Sequence, residues 1–130
     1  MTILSQTMAI AASGMEAQAA RLRNVSENIA NNDTPGYRRK IVSFQDQFSD
    51  ASRVGEVKTG PVQLDRRDLE QIYDPAHPLS DESGYYEGSN VSLVVEIADA
   101  REAQRSYEAN LKMFEQARKM SSSLIELLRR

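Results

Sequence analysis

Asn28-Ile29-Ala30-Asn31-Asn32-Asp33-Thr34-Pro35-Gly36-Tyr37 is the stretch in which a long helical pattern is brought to a halt. Pro35 has no backbone N–H to donate and disfavours the α region for Thr34, so a helix arriving from the N-terminus must finish by about Asn32. Asn31 and Asn32 tolerate the left-handed conformation that closes helices, and Asp33 can accept from amides two residues on. Pro35-Gly36 suits the central pair of a type II turn. Ten residues thus spell a helix, its cap and a turn.

Upstream, the spacing predicts a helix from about Leu4 to Ile29. Met1, Leu4, Met8, Ala11, Met15, Gln18, Leu22, Val25 and Ile29 recur at three and four residues, a heptad seam with one polar interruption. Ala9, Ala11, Ala12, Ser13, Gly14, Ala17, Ala19 and Ala20 add little bulk, so a partner helix can approach closely. Such a helix gains little by itself, and Gly14 costs it about 1 kcal/mol relative to alanine. Residues 1–30 are therefore expected to be poorly ordered in an isolated monomer and to become helical on packing against other chains.

Downstream, Arg38-Arg39-Lys40 forms a basic run that reads as a solvated face or a contact for an acidic partner. Phe44 and Phe48, four apart, are expected to form a short helical turn against the helical core. From about Ser49 to Asn90 all the remaining Gly and Pro residues punctuate short runs such as Val54–Val57, Val62–Leu64 and Leu69–Tyr73. These predict small β-strands or extended loops rather than a second full domain. His77, the only histidine, stands between Pro75 and Pro78 with Asp74 and Asp81 nearby. One imidazole among loop carboxylates supplies neither a metal-ligand set nor an activated nucleophile, so no catalytic, cofactor or metal site is expected.

The last segment, from about Leu93 to Leu128, has the strongest period. Leu93, Ile97, Ala100, Ala103, Tyr107, Leu111, Phe114, Ala117, Met120, Leu124 and Leu127 make one apolar stripe, and Asn90 or Ser92 can cap its start. Glu108–Lys112, Glu115–Lys119 and Glu126–Arg130 stand in the favourable i, i+4 order on the outer face. This helix would run about 54 Å and the first about 39 Å, whereas a compact globule of this chain length is only about 36 Å across. The apolar stripe continues nearly to the end, so the overhang needs a partner from another chain.

Composition narrows the function classes. A net charge of −3 over 130 residues argues against nucleic-acid binding, which needs a basic field. The chain has no cysteine, which excludes disulfide stapling and cysteine-ligated metals. Residues 1–15 carry no charged side chain, but no basic region leads them and Ser5, Gln6, Thr7 and Ser13 break the apolar run, so a cleaved secretory signal is not expected. No run of about eighteen apolar residues exists to span a bilayer.

Several of these residues together resemble the bacterial flagellar rod and hook family. The resemblance rests on Ala12-Ser13-Gly14-Met15, on Asn24 to Asn31, and on Thr34-Pro35-Gly36-Tyr37 following in fixed register. It extends to Tyr73-Asp74-Pro75-Ala76-His77-Pro78-Leu79, to Asn90-Val91, and to Arg105-Ser106-Tyr107-Glu108-Ala109-Asn110-Leu111-Lys112, where the match is to the proximal-rod members. Ala76 and Ser92 depart from the family pattern, and residues 46–67 give no specific match.

The resemblance implies a mainly α fold in which long N- and C-terminal helices pack as a coiled-coil-like hairpin around a small β/loop segment. Residues 1–45 would be the N-terminal rod helix and turn, 46–90 the variable segment, and 91–130 the C-terminal rod helix. It implies a structural subunit of the periplasm-spanning rod, exported by the flagellar type III apparatus, whose partners are copies of itself and other rod proteins. Met8, Ala12, Met15, Leu22, Val25 and Ile29 are the expected interface residues of the first helix, and Ile97, Tyr107, Leu111, Phe114 and Leu124 those of the last. Asn28, Asn31, Thr34, Pro35, Gly36 and Tyr37 set the turn. The rival readings are another axial subunit of the same family, or a cytosolic coiled-coil adaptor or chaperone closed as a discrete oligomer.

Overall fold

Two antiparallel helices carry the structure, and two small β-ribbons lie beside them. The computed structural model describes residues 2–47 and 51–130, so Met1 at the head of the seam and Phe48 lie outside the described residues. Helix α1 spans Ile3–Ala30 and helix α2 spans Leu93–Leu128. Between them come β1 (Lys40–Asp46), a 3-10 turn (Ala51–Arg53), β2 (Val57–Leu64), β3 (Gln71–Tyr73) and β4 (Tyr85–Glu87).

Helix α1 starts where Thr2 accepts a hydrogen bond from the Ser5 amide at 3.2 Å, satisfying one of the amides that a helix start leaves open. It stops as its terminator dictates, but by a different cap. Asn31 is not left-handed, with φ −106°. Its side-chain Nδ2 instead donates to the freed Glu27 carbonyl at 2.8 Å, alongside its own backbone N–H at 3.0 Å. Thr34 to Tyr37 then form the expected type II turn, with Gly36 at φ 76° and the Tyr37 amide donating to the Thr34 carbonyl at 3.2 Å. Ser92 occupies the N-cap of α2 without a side-chain bond, because Asn90 is engaged elsewhere and the Ser92 contribution is only its carbonyl, accepting from Glu96 N.

The strand β1 overturns the expectation of a helical turn at Phe44. Lys40–Asp46 pairs antiparallel with β2, Lys40 opposite Leu64 and Asp46 opposite Val57. Ladder bonds to a second strand compete with a four-residue apolar spacing, and here the strand wins. Gly60 and Pro61 oppose the single residue Ser43, a bulge that accommodates the proline on a two-stranded ribbon where every strand is an edge. The ribbon runs back along α1, from Asn28 beside Lys40 to Ser13, whose Oγ accepts from the Val57 amide at 3.0 Å. The second ribbon pairs β3 with β4, Ile72 opposite Tyr86. Its long loop is held by Asp81, whose Oδ1 accepts from the Ser83 and Tyr85 amides, and by His77 stacked on Tyr86 at 3.9 Å. His77 is thus a packing residue.

The helices face each other through small and polar groups. Asn28 meets Glu96, Arg21 meets Asp99, and Gly14 lies under Asn110. On α2 the inward positions Glu96, Ala103, Asn110 and Ala117 fall seven residues apart. Among the described residues the buried apolar ones are Ala11, Ala17, Val25, Ala103 and Ala117, four alanines and a valine. At about 0.8 kcal/mol per buried methyl-sized group, this contact holds the helices close but weakly. The apolar stripe of α2 therefore divides: Ala100, Ala103, Tyr107, Phe114 and Ala117 turn toward α1, while Leu93, Ile97, Leu111, Met120, Leu124 and Leu127 are exposed.

A Cβ at Gly14 would stand 2.8 Å from Asn110 Nδ2, a distance that forces a shift. Gly14→Val is expected to destabilise the helix pair by about 1–3 kcal/mol through overpacking. Adding Asn110→Gly should recover part of the loss in a urea titration, and a Gly14→Val chain as stable as the wild type would show that the helices do not meet here.

Candidate assembly site

The chemistry-bearing residues converge where α1 ends, β1 begins and α2 starts. Asn28, only 1% exposed, uses its whole amide. Its Nδ2 donates to the Lys40 carbonyl at 3.0 Å and to Glu96 Oε2 at 3.2 Å, while its Oδ1 accepts from Lys40 N and from the Tyr37 hydroxyl, both at 2.9 Å. One side chain therefore ties the helix end to the turn, the strand and the second helix. Burial pushes the Tyr37 phenol up from its ordinary value, which keeps it a donor.

Glu96 is fully buried between a cation and the Asn28 amide. Arg39 Nε pairs with Glu96 Oε1, and Arg39 Nη2 reaches Asp99 Oδ2 at 2.8 Å. Arg21 closes on Asp99 from the helix α1 side at 3.2 Å. The Arg39 amide donates to Asn90 Oδ1 at 2.6 Å, and Asn90 Nδ2 donates in turn to the carbonyls of Asp65 and Arg67. Arg38 reaches the same two carbonyls at 3.2 and 3.1 Å. Lys40 pairs with Glu27 at 2.6 Å, a hydrogen-bonded contact that raises its pKa.

The basic run is thus neither a solvated face nor a contact for an outside acidic partner, because each of its three side chains is taken up within the chain. The sequence signal for this was Glu96 itself, a lone acid inside the run Leu93-Val94-Val95-Glu96-Ile97, which no amphipathic face explains. The expected outer-face pairs Glu108–Lys112, Glu115–Lys119 and Glu126–Arg130 do not close. Among the described residues, the ion pairs of α2 are those of Glu96, Asp99 and Glu102, all with cations from outside the helix.

Arg67 donates to Asp65 from Nε at 2.8 Å, from Nη2 at 2.6 Å and from its backbone N at 3.0 Å. These bonds hold the Asp65 carboxyl below its ordinary 3.8. A carboxyl whose folded pKa is depressed stabilises the fold above the ordinary value and loses that contribution as the pH falls through the folded one. The acid limb of unfolding, below about 3.8, is expected to flatten in Asp65→Asn; an unchanged acid limb would dissociate this clasp from stability.

The expected interface residues are distributed unevenly. Val25 is buried within the chain; Met8, Met15, Leu22, Tyr107 and Phe114 are half-buried; Ala12, Ile29, Ile97, Leu111 and Leu124 are exposed. Of the turn residues, Asn28 and Tyr37 enter the junction, Asn31 caps α1, and Thr34, Pro35 and Gly36 shape the exit, where the Gly36 amide donates to the Glu87 and Gly88 carbonyls. Asn28 faces Glu96 and Gly14 faces Asn110, so Ile3 comes opposite about Ser121 and the last two turns or so of α2 run on without α1. Leu124, Ile125, Leu127 and Leu128 are all exposed there, Leu128 by 87%. No helix among the described residues is long and apolar enough to cross a membrane.

Two long helices with a small-residue contact, a rigid polar junction and an uncovered apolar end define an elongated structural subunit built to pack with other chains. The family models agree. Residues 8–38 match the flagella basal body rod protein family, and residues 82–127 match the C-terminal family of flagellar basal body rod FlgEFG proteins. The chain is 46% identical to the flagellar basal-body rod protein FlgC of Agrobacterium fabrum, over 97% of this chain and 96% of the relative. It is 32% identical to FlgC of Salmonella typhimurium, over 91% and 92%, and 31% identical to FlgC of Bacillus subtilis, over 91% and 93%. The chain belongs to the flagellar basal-body rod protein family and is a structural subunit of the rod. That family is structural and is not an enzyme family.

Proposed function

We propose that the chain occupies the proximal part of the rod, where its two helices pack side by side with those of copies of itself and of other rod proteins in a coiled-coil-like tube that transmits torque. One observation carries the reading. The chain exposes 9406 Å², whereas a compact monomer of its 14.6 kDa mass would expose about 6,900 Å². The excess, about 2,500 Å², is of the order that obligate interfaces hide. Alanine and glycine at the helix crossings bring backbones close, and dense packing at such crossings resists shear. Met8, Ala12, Met15, Leu22 and Ile29 on α1, with Ile97, Leu111 and Leu124 on α2, supply the contacts with neighbours, together with the exposed edges of Tyr107 and Phe114, whose other edges face α1. Val25 acts within the chain.

Delivery is read as export through the flagellar apparatus to a periplasm-spanning location, with the N-terminal segment retained. In support, Thr2 caps α1 and Ile3–Ala30 is the partner of α2, so removal of this segment would bare the inward face of the second helix. In the dilute monomer, amide exchange is expected to be fastest near Thr2 and to slow progressively toward Asn28, where the polar junction holds the chain. The whole reading is tested by deleting the gene in its own host. The deletion strain should neither swim nor build a rod beyond the missing subunit, and a swimming deletion strain would remove the proposal.

A further inference from the structure

The inward rows of the two helices keep a seven-residue period, and neither is uniformly apolar. On α1 the row is Ala11, Gln18 and Val25; on α2 it is Glu96, Ala103, Asn110 and Ala117. Asn28 opposite Glu96 and Gly14 opposite Asn110 set the register, so Gln18 comes between Ala103 and Asn110. Ala11 and Val25 on either side of it are 2% and 5% exposed, which places Gln18 in the closed part of the helix contact.

The other polar members of this contact have partners. Glu96 meets Arg39 and Asn28, Arg21 meets Asp99, and Asn110 Nδ2 donates to the Ser106 carbonyl at 3.0 Å. Gln18 Oε1 is shut off from solvent and accepts no hydrogen bond among the described residues. A stranded acceptor costs stability, and an apolar side chain of the same shape would not carry that cost. Gln18 is also the polar interruption in the α1 seam. With an apolar residue there the seam would run unbroken from Leu4 to Ile29, and such a seam pairs with others like it.

We propose that Gln18 decides the partner of α1: it directs the helix to α2 of its own chain and away from α1 of a second copy. In the hairpin the glutamine comes against Ala103, whose small side chain leaves the residue half-buried, so the cost is one acceptor. In an antiparallel pair of α1 helices centred on their midpoints, Gln18 would meet Met15 of the other copy. Two long side chains would then close over the whole amide, a larger desolvation cost. In a parallel pair Arg21 would meet Arg21, and like charges oppose it. A buried polar residue in an otherwise apolar seam is a known way for helices to fix register and partner at some loss of stability. The choice is a property of the helix pair, so it stands or falls separately from the rod reading.

Gln18→Met, equal in length and without the amide, tests it by sedimentation of the full chain over a concentration series and by urea titration in dilute solution. The urea midpoint should rise above that of the wild type, because the stranded acceptor is gone. Association should set in at a roughly tenfold lower concentration than for the wild type. Adding Met15→Gln to Gln18→Met should return that threshold to the wild-type one, since the facing position is then polar. Gln18→Asn, which keeps an amide in the seam, should associate no more readily than the wild type, and neither should Ser26→Met, which adds the same thioether to an exposed position of α1. A Gln18→Met chain with a lowered or unchanged midpoint would show that the amide carries no cost, and a stabilised chain that associates like the wild type would show that it makes no choice. Equal association by Ser26→Met or Gln18→Asn, or association untouched by Met15→Gln, would place the effect outside the seam. Each of these results overturns the proposal, whereas a swimming deletion strain removes the rod reading alone.

Discussion

Arg39→Ala is expected to cost the fold about 3–5 kcal/mol, because it strands a buried charge. Glu96 is fully buried, Arg39 is 15% exposed, and the guanidinium bridges Glu96 to Asp99. Against a total stability of about 5–15 kcal/mol for a small domain, such a loss is a large share. It should appear as a lower urea midpoint by tyrosine fluorescence, since Tyr37 reports on the same cluster and the chain has no tryptophan. The double replacement Arg39→Met, Glu96→Met should recover most of the loss, since removing both charges removes the desolvation penalty together with the pairing. Asn28→Ala should fall between the two, leaving the Tyr37 hydroxyl and the Lys40 amide without their acceptor. A single Arg39→Ala chain with an unchanged midpoint would mean that the junction does not hold the helices to the strand.

Leu124→Asp with Leu127→Asp is expected to have the opposite profile. Both side chains lie beyond the reach of α1 and are more than half exposed, so the monomer should lose no more than about 0.5 kcal/mol. In cells the same chain should abolish swimming and be missing from isolated basal bodies, because a carboxylate in a packed helix contact cannot be solvated. A double variant that swims normally would show that the overhang is a solvent-exposed tail. The contrast with Arg39→Ala is diagnostic: one change breaks the subunit and the other breaks only its place among subunits.

Much of the fold was legible from local rules. Pro35 and Gly36 fixed the end of α1 and the turn after it, since a missing N–H and a positive φ leave few alternatives. The three- and four-residue spacing located α2 to the residue, Leu93 to Leu128. The Gly and Pro pattern foretold short strands rather than a domain. Phe44 was misread because apolar residues four apart share a face in a strand as well as in a helix, and only the partner strand chooses between them.

The site was less legible. Arg38, Arg39 and Lys40 look like any solvated charge run until the fold gives each an acceptor, and α2 brings Glu96 and Asp99 beneath Arg39 across about sixty residues of chain. The apolar stripe of α2 was visible, but not that α1 would cover its alanines and leave its leucines bare.

The sequence by itself determined where each helix begins and ends, how the chain turns between them, and that the longer helix outruns any globule this chain could make. Those properties depend on backbone geometry, side-chain period and rise per residue, which act over a few neighbours. The tertiary structure alone decided which face of each helix turns inward and which acceptors the three basic residues meet. Pairings such as Arg39 with Glu96 depend on register between distant segments, set here by Asn28 and by the close approach at Gly14. No local rule carries that register, because it is fixed by which surfaces fit once both helices exist.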